Sequence, residues 1–207
     1  MDGDFSQAPK SAPGGPRESQ KAEMRTRIAD ALIDLLAEGR MDINHDLIAE
    51  RAGIARRTVY RYFPDREALL GAGTDRVRER AGPRVIFPES EADLTGTLRD
   101  VYVGFDNIAP IATLVRSTPQ GRAMRKANNA VRQKAYRAAA ADLVKDLPAE
   151  DQDLATAVLQ VLHTTPWLEM RDHWGFDGEQ MAKATGWAMR TLMADLRARK
   201  GRPLDED

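Results

Sequence analysis

The chain has 207 residues, 42% hydrophobic and 30% charged, with a net charge of −1, an ordinary composition for a water-soluble globular protein with a real core. No apolar run approaches the ~20 residues needed to cross a bilayer, and with no cysteine there is no disulfide framework, thiolate metal site or thiol nucleophile. These features exclude a membrane protein and a disulfide-stapled secreted domain, so a cytoplasmic location is expected.

In chain order, residues 1–19 are rich in Pro, Gly, Ser and Gln, which points to a disordered arm. Met1–Lys10 has early acids and no apolar stretch, unlike a secretory signal. The first helix is expected over Gln20–Glu38, with Met24, Ile28, Leu32, Leu35 and Leu36 on one face and Gly39 as its stop. A second runs over His45–Ala52 with Asn44 as N-cap, a third over Arg56–Phe63 after Gly53, and a fourth from Asp65 to about Arg80. Ala81–Ser90, with two prolines and Gly82, reads as a loop.

Ser90 then caps a fifth helix carrying Leu94, Leu98, Val101 and Phe105. Pro110 opens a short sixth helix to Ser117. The seventh spans about Gln120–Leu147, the eighth Glu150–His173 and the ninth Gly178–Arg199, with Pro166 expected to kink the eighth beside Trp167. No segment alternates with the period of a strand. The expected fold is all-α with about nine helices: a three-helix DNA-binding domain over 20–66, a larger helical ligand-binding and dimerisation domain over 67–200, and a frayed tail over 201–207.

The near-neutral total hides a local excess. Between Arg51 and Arg66 lie Arg51, Arg56, Arg57, Arg61 and Arg66 against the single acid Asp65, a local charge of +4. A stripe of one sign bears more on phosphate binding than the total does. The same window has the pattern of a helix-turn-helix. Leu47, Ile48 and Ala52 face inward on its first helix, and Ala49 is small where two helices must approach. Gly53 supplies the turn, and Ile54 and Val59 pin the second helix back. Arg56, Arg57, Thr58, Tyr60 and Arg61 remain outward, suited to a major groove. Tyr62 and Phe63 read as core.

The stretch IAERAGIARRTVYRYFPDREALL resembles the N-terminal signature of the TetR family of bacterial regulators. The shared features are the Ile-Ala pair, Ala-Gly-aliphatic at the turn, aliphatic-Tyr-x-Tyr-Phe, and basic-Glu-x-Leu-Leu opening the fourth helix. The resemblance implies a homodimer on a palindromic double-stranded operator, released by a small-molecule effector in the C-terminal domain. Residue by residue, it implies base or phosphate contacts from Arg56, Arg57 and Thr58. It further implies backbone contacts from Tyr60 and Arg66, and a phosphate at Asn44 or His45. One departure is Ala55, where the family usually has Ser or Thr as N-cap, a loss of ~1 kcal/mol of capping.

In the C-terminal half, Leu154, Val158, Val161, Leu162 and Leu168 form one apolar stripe. Met181, Ala184, Ala188, Leu192 and Leu196 form another, with Thr185, Met189 and Trp187 beside it. Each is either intrachain core or, as the resemblance implies, half of a four-helix dimer interface made by the eighth and ninth helices. The resemblance also places an effector pocket among the fourth to eighth helices, with Tyr102, Phe105, Leu114, Met124, Tyr136, His163 and Trp167 as candidate lining. Glu169 and His173 share a helix face but lack the converging ligands of a metal site. With no phosphate loop, nucleophile elbow or cysteine, neither catalysis nor a cofactor is expected. The competing reading is a helical ligand-binding or protein-interaction module, or a transcriptional activator, without ligand-released repression.

Overall fold

The computed structural model describes residues 15–40, 42–82 and 87–206. Among them are twelve helices and no strand, so the all-α expectation holds. The nine expected helices become twelve because three of them are divided. The fifth is cut at Thr97 into α5 (Asp93–Gly96) and α6 (Leu98–Asn107). The seventh is cut at Asn128 into α8 (Pro119–Ala127) and α9 (Asn129–Val144). The eighth is cut at Thr165–Pro166 into α10 (Ala149–Thr164) and α11 (Trp167–Trp174), where the proline ring cannot follow an unbroken ladder. The remaining helices are α1 (Pro16–Ala37), α2 (His45–Ala52), α3 (Arg56–Tyr62), α4 (Arg66–Ala81), α7 (Ala109–Ser117) and α12 (Gly178–Arg199).

Both chain ends are corrected in part. Residues 1–14 of the expected arm lie outside the described residues, but α1 already begins at Pro16, with proline in its first turn and Glu18 facing the helix dipole. At the other end the tail turns back on itself. Arg199 Nη1 donates to the carbonyls of Pro203 (2.6 Å) and Glu206 (2.7 Å), and the Leu204 N–H donates to the Asp151 carboxylate (3.0 Å). Leu204 packs against the larger core.

Two apolar cores form. The first gathers Ile28, Leu32, Leu36, Ile48, Val59 and Phe63 from α1–α3 and their C-terminal border, together with Leu69, Leu70 and Val77 of α4, and draws in Val115 and Met124 from α7 and α8. The second surrounds Leu94, Tyr102, Tyr136, Leu159 and Met189. The first core therefore extends past residue 66 and takes in α4 as far as Val77, while Ala81 at its end belongs to the second. That helix is fixed to α1 by Arg76 and Arg80, which both reach the Asp30 carboxylate (2.7 and 2.6 Å), and these guanidiniums hold Asp30 below the usual carboxylate range against the opposing effect of burial. At Gly73 a Cβ would lie 2.5 Å from Leu32 Cδ2 and 2.8 Å from Met124 Cε, so its absence lets α1, α4 and α8 close on one another. Thr74 Oγ1 donates to the Met124 carbonyl at 2.8 Å, which joins α4 to α8 on its other side.

Candidate functional site: a nucleic-acid interface and an arginine-lined cavity

The helix-turn-helix is assembled by local rules. Asn44 is the N-cap of α2, its Oδ1 accepting from the N–H groups of Asp46 and Leu47 (both 3.0 Å). Gly53 closes α2 in the left-handed region (φ 62°, ψ 42°), where a side chain would be strained. The α3 cap is Ala55, which makes no side-chain bond; its carbonyl accepts from the Thr58 N–H at 2.8 Å. Val59 and Phe63 are buried, whereas Arg56, Arg57, Tyr60 and Arg61 are exposed and Thr58 is half-buried. α3 thus shows a polar, cationic outer face over an apolar inner one.

The outward arginines are not equally available. Arg56 Nε pairs with Asp46 at 2.7 Å and its Nη2 reaches the Tyr60 hydroxyl at 3.4 Å. These partners, Tyr60 first, raise its pKa above the ordinary arginine value. Arg57 makes no hydrogen bond or ion pair with a described residue, and Arg61 lies over the Tyr62 ring at 5.1 Å. Two members of the basic stripe are committed elsewhere. Arg51 forms a bidentate pair with Glu38 (2.6 and 2.5 Å), and Arg66 Nη1 donates to the Ile43 carbonyl at 2.8 Å, tying α4 to the start of α2.

His45 is also engaged internally. It is buried, its Nε2 lies 3.0 Å from the Phe63 carbonyl, and its ring stacks on Tyr60 at 4.2 Å and 7°. The imidazole therefore supports Tyr60, and of the two residues at the start of α2, Asn44 is the one on the surface. One residue that sequence reasoning missed is Arg25 of α1, which donates to the Tyr62 carbonyl (3.3 Å) and lies over Phe63 at 4.5 Å. It braces the C-terminus of α3. Its only sequence signal was a basic residue one turn before Ile28.

Of the seven residues expected at a pocket, the structure places one on a cavity. That cavity, of about 100 Å³, lies among α4, α6, α7, α8, α9 and α10, and Phe105 is on its wall. Tyr102, Met124, Tyr136, His163 and Trp167 are buried in the cores instead, while Leu114 is half-buried and is not part of the lining. The buried polar groups among them all have hydrogen-bond partners. Tyr102 donates to the Leu162 carbonyl (2.6 Å), and Trp167 Nε1 donates to Asp106 (2.8 Å). Tyr136 donates to His163 Nδ1 at 2.7 Å, and His163 Nε2 sits 2.9 Å from the Thr97 hydroxyl, which itself donates to the Asp93 carbonyl. That arrangement assigns the neutral Nε2–H tautomer to His163. Burial pulls its pKa down to about 4 and pushes the Tyr136 and Tyr102 phenols well above their usual value.

The cavity wall combines Val77, Phe87, Phe105 and Val115 with four arginines, Arg78, Arg116, Arg125 and Arg132, and among the described residues it carries no acidic side chain. Arg78 is paired with Asp75. The other three make no ion pair with a described residue. Arg116 donates to the Thr164 carbonyl (2.7 Å) and lies over the Phe105 and Trp167 rings (4.6 and 5.9 Å). Burial lowers its pKa to about 10, and it remains a cation at neutral pH. Burial likewise lowers Arg125 and Arg132. The Nε atoms of Arg78 and Arg125 are buried with no hydrogen-bond partner among the described residues. No cluster of acidic or histidine side chains among the described residues could hold a metal ion, and Glu169 and His173 form an exposed pair at 3.2 Å.

Residues 28–72, a little over a fifth of the chain, match the model of the family described as "Bacterial regulatory proteins, tetR family". The N-terminal unit thus matches the tetR family. The matched span covers the described parts of α1 from Ile28, all of α2 and α3, and the first half of α4, which are the elements that carry the outward arginines. The fold as a whole is similar to that of native NalD of Pseudomonas aeruginosa, the secondary repressor of the MexAB-OprM multidrug efflux pump. The two share 20% identity over 84% of this chain and 96% of NalD, with a TM-score of 0.60. RolR in complex with resorcinol is more distant, at 21% identity and a TM-score of 0.44 over 92% of this chain and 99% of RolR. No curated protein sequence matches the chain. None of the described helices is long and apolar enough to cross a membrane.

Proposed function

We propose that the protein is a dimeric transcriptional repressor whose α3 reads a palindromic operator and which lets go when a small molecule occupies the cavity behind α4. The observation that carries this reading is the double attachment of α4. Its N-terminus follows α3 directly, and its body is clamped to α1 through Asp30. Its other side offers Thr74, Val77 and Arg78 to the cavity. A ligand that repositions α4 must move the reading unit with it, and it can shift DNA affinity only by its preference for one placement over the other.

Arg57, Thr58 and Arg61 supply base and phosphate contacts in this reading, with Tyr60 and Asn44 on the DNA backbone. Arg56 joins them by exchanging Asp46 for a phosphate. Arg66 and His45 hold the unit in shape. The dimer face supported best is α10 with α12. Leu154, Val158 and Val161 lie one helical turn apart on α10 and are 58%, 49% and 45% exposed, and Trp187 of α12 is 69% exposed. Such an apolar stripe on a pair of packed helices suits an isologous four-helix contact.

Fluorescence anisotropy with DNA from the gene's own upstream region tests the reading. Specific binding that falls steeply with salt is expected, together with a monomer on sedimentation for Val158→Asp. Equal affinity for unrelated DNA, or an unchanged dimer in that variant, would refute the operator or the interface respectively.

A further inference from the structure

The cavity behind α4 has a charge its neighbours do not balance. Three guanidiniums, those of Arg116, Arg125 and Arg132, stand on its wall without an ion pair to any described residue, and no described residue of the wall is a carboxylate. Two of them are held in place by neutral acceptors: Arg116 by the Thr164 carbonyl (2.7 Å), and Arg132 by the Arg125 carbonyl and the Asn129 side chain (both 3.0 Å); the buried Arg125 Nε has no hydrogen-bond partner among the described residues. Desolvated like charges in one small space oppose folding. Burial that lowers the pKa of all three is the expression of that opposition. A protein that keeps such a cluster gains from it when an anion arrives.

The rest of the wall limits what the anion can be. Phe87, Phe105, Val77, Ala112 and Val115 give the site an apolar, partly aromatic half. Arg116 is already stacked over Phe105, and both Arg78 and Arg132 lie over Phe87 (4.1 and 5.8 Å). A cation resting on a ring face keeps its N–H edges available to an acceptor in the ring's plane of approach. A planar carboxylate matches a guanidinium fork with two parallel hydrogen bonds. At about 100 Å³ the cavity is smaller than the ~150 Å³ apolar cavity that accepts benzene, so the apolar body is at most one small ring or a short chain. A fully hydrated inorganic anion would leave the aromatic half unused.

We infer that the effector site is built for a small organic carboxylate with a compact apolar body, whose carboxylate is shared by Arg116, Arg125 and Arg132 and whose body lies against Phe87 and Phe105. This deepens the release reading above and rests on it for its DNA arm alone.

The experiment titrates the full chain by calorimetry with sodium benzoate, hexanoate, neutral benzamide and inorganic phosphate, and repeats it with Arg116→Gln and Arg132→Gln. At least one of the two carboxylates binds, benzamide and phosphate bind at least about tenfold more weakly, and each variant loses about tenfold or more in carboxylate affinity. Both variants melt at or above the temperature of the unaltered protein, because each removes a desolvated cation. No binding by either carboxylate, equal binding of benzamide, binding carried by phosphate, or unchanged affinity in both variants would overturn the inference. A variant that melts lower counts against the unbalanced-charge account and leaves the other variant to decide the binding. The carboxylate is then added to the protein bound to labelled operator. Binding without release leaves this site standing and removes ligand-driven release from the proposed function.

Discussion

The two ends of α4 sit in opposite electrostatic surroundings. Around α3 the arginines stand in water, where Arg57 and Arg61 carry their charge at little cost and are screened within a Debye length by salt. Around the cavity, Arg116, Arg125 and Arg132 have surrendered much of their hydration, and no carboxylate among the described residues balances them. A solvated cation is suited to a polyanion that must be found from a distance and released again. A desolvated cluster suits a small anion that is held closely and completes the packing around it. The same side chain serves two purposes, and the solvent around it determines which.

The largest effect that would separate the two regions is on DNA affinity. Arg57→Ala should weaken operator binding by about 10- to 100-fold and lower the salt slope by about one phosphate, with unchanged far-UV circular dichroism, whereas Arg116→Gln should leave operator binding intact in the absence of effector. Equal losses in anisotropy from both substitutions would erase the distinction.

A second effect belongs to the interior alone. His163 is neutral in the fold with a pKa of about 4, against 6.5 as its ordinary value, so the unfolded chain binds the extra proton first. Stability from this group is complete above pH 6.5 and declines as pH falls toward 4, a loss of about 2 kcal/mol between pH 7.5 and 5. Melting curves across that range should show the decline, and His163→Gln should flatten it from a lower starting point. A loss of the same size in the variant would assign the effect to other groups.

The smallest effect tests how solvated the reading face is. Asp46→Asn removes the partner of Arg56 and one negative charge near the DNA, and should raise operator affinity about two- to threefold at low salt and less at high salt. A decrease would mean that the pair positions Arg56 for its contact.

The sequence made the reading unit legible because its signals are local. The Asn44 cap, the Gly53 turn, and the spacing of Ile48, Ala52 and Val59 lie within one short window, and the structure reproduces them. What could not be read there was where outward-pointing polar groups find partners. Glu38 claims Arg51 across 13 positions, Ile43 claims Arg66 across 23, and Phe63 claims His45 across 18. The cavity was hidden for a related reason. Aromatic and histidine positions are the natural candidate lining, yet Tyr136 and His163 satisfy each other and Trp167 is satisfied by Asp106. Arg116, Arg125 and Arg132 have no spacing that distinguishes them from an ordinary solvated helix face. The division at Asn128 carries no Gly or Pro and that at Thr97 only Gly96, so periodicity ran through both, while Pro166 marked a break that the expectation treated as a kink.

The way α4 divides its faces has a consequence for how such a protein can diverge. Gly73, Arg76 and Arg80 hold the stripe against α1, and Thr74, Val77 and Arg78 form part of the cavity wall. Substitutions on the second set can therefore retune the chemical signal while the first set keeps the link to the DNA-reading helices in register. A lineage could change what it senses without losing the sites it occupies on the chromosome, and duplicated copies could come to answer different metabolites while sharing one operator.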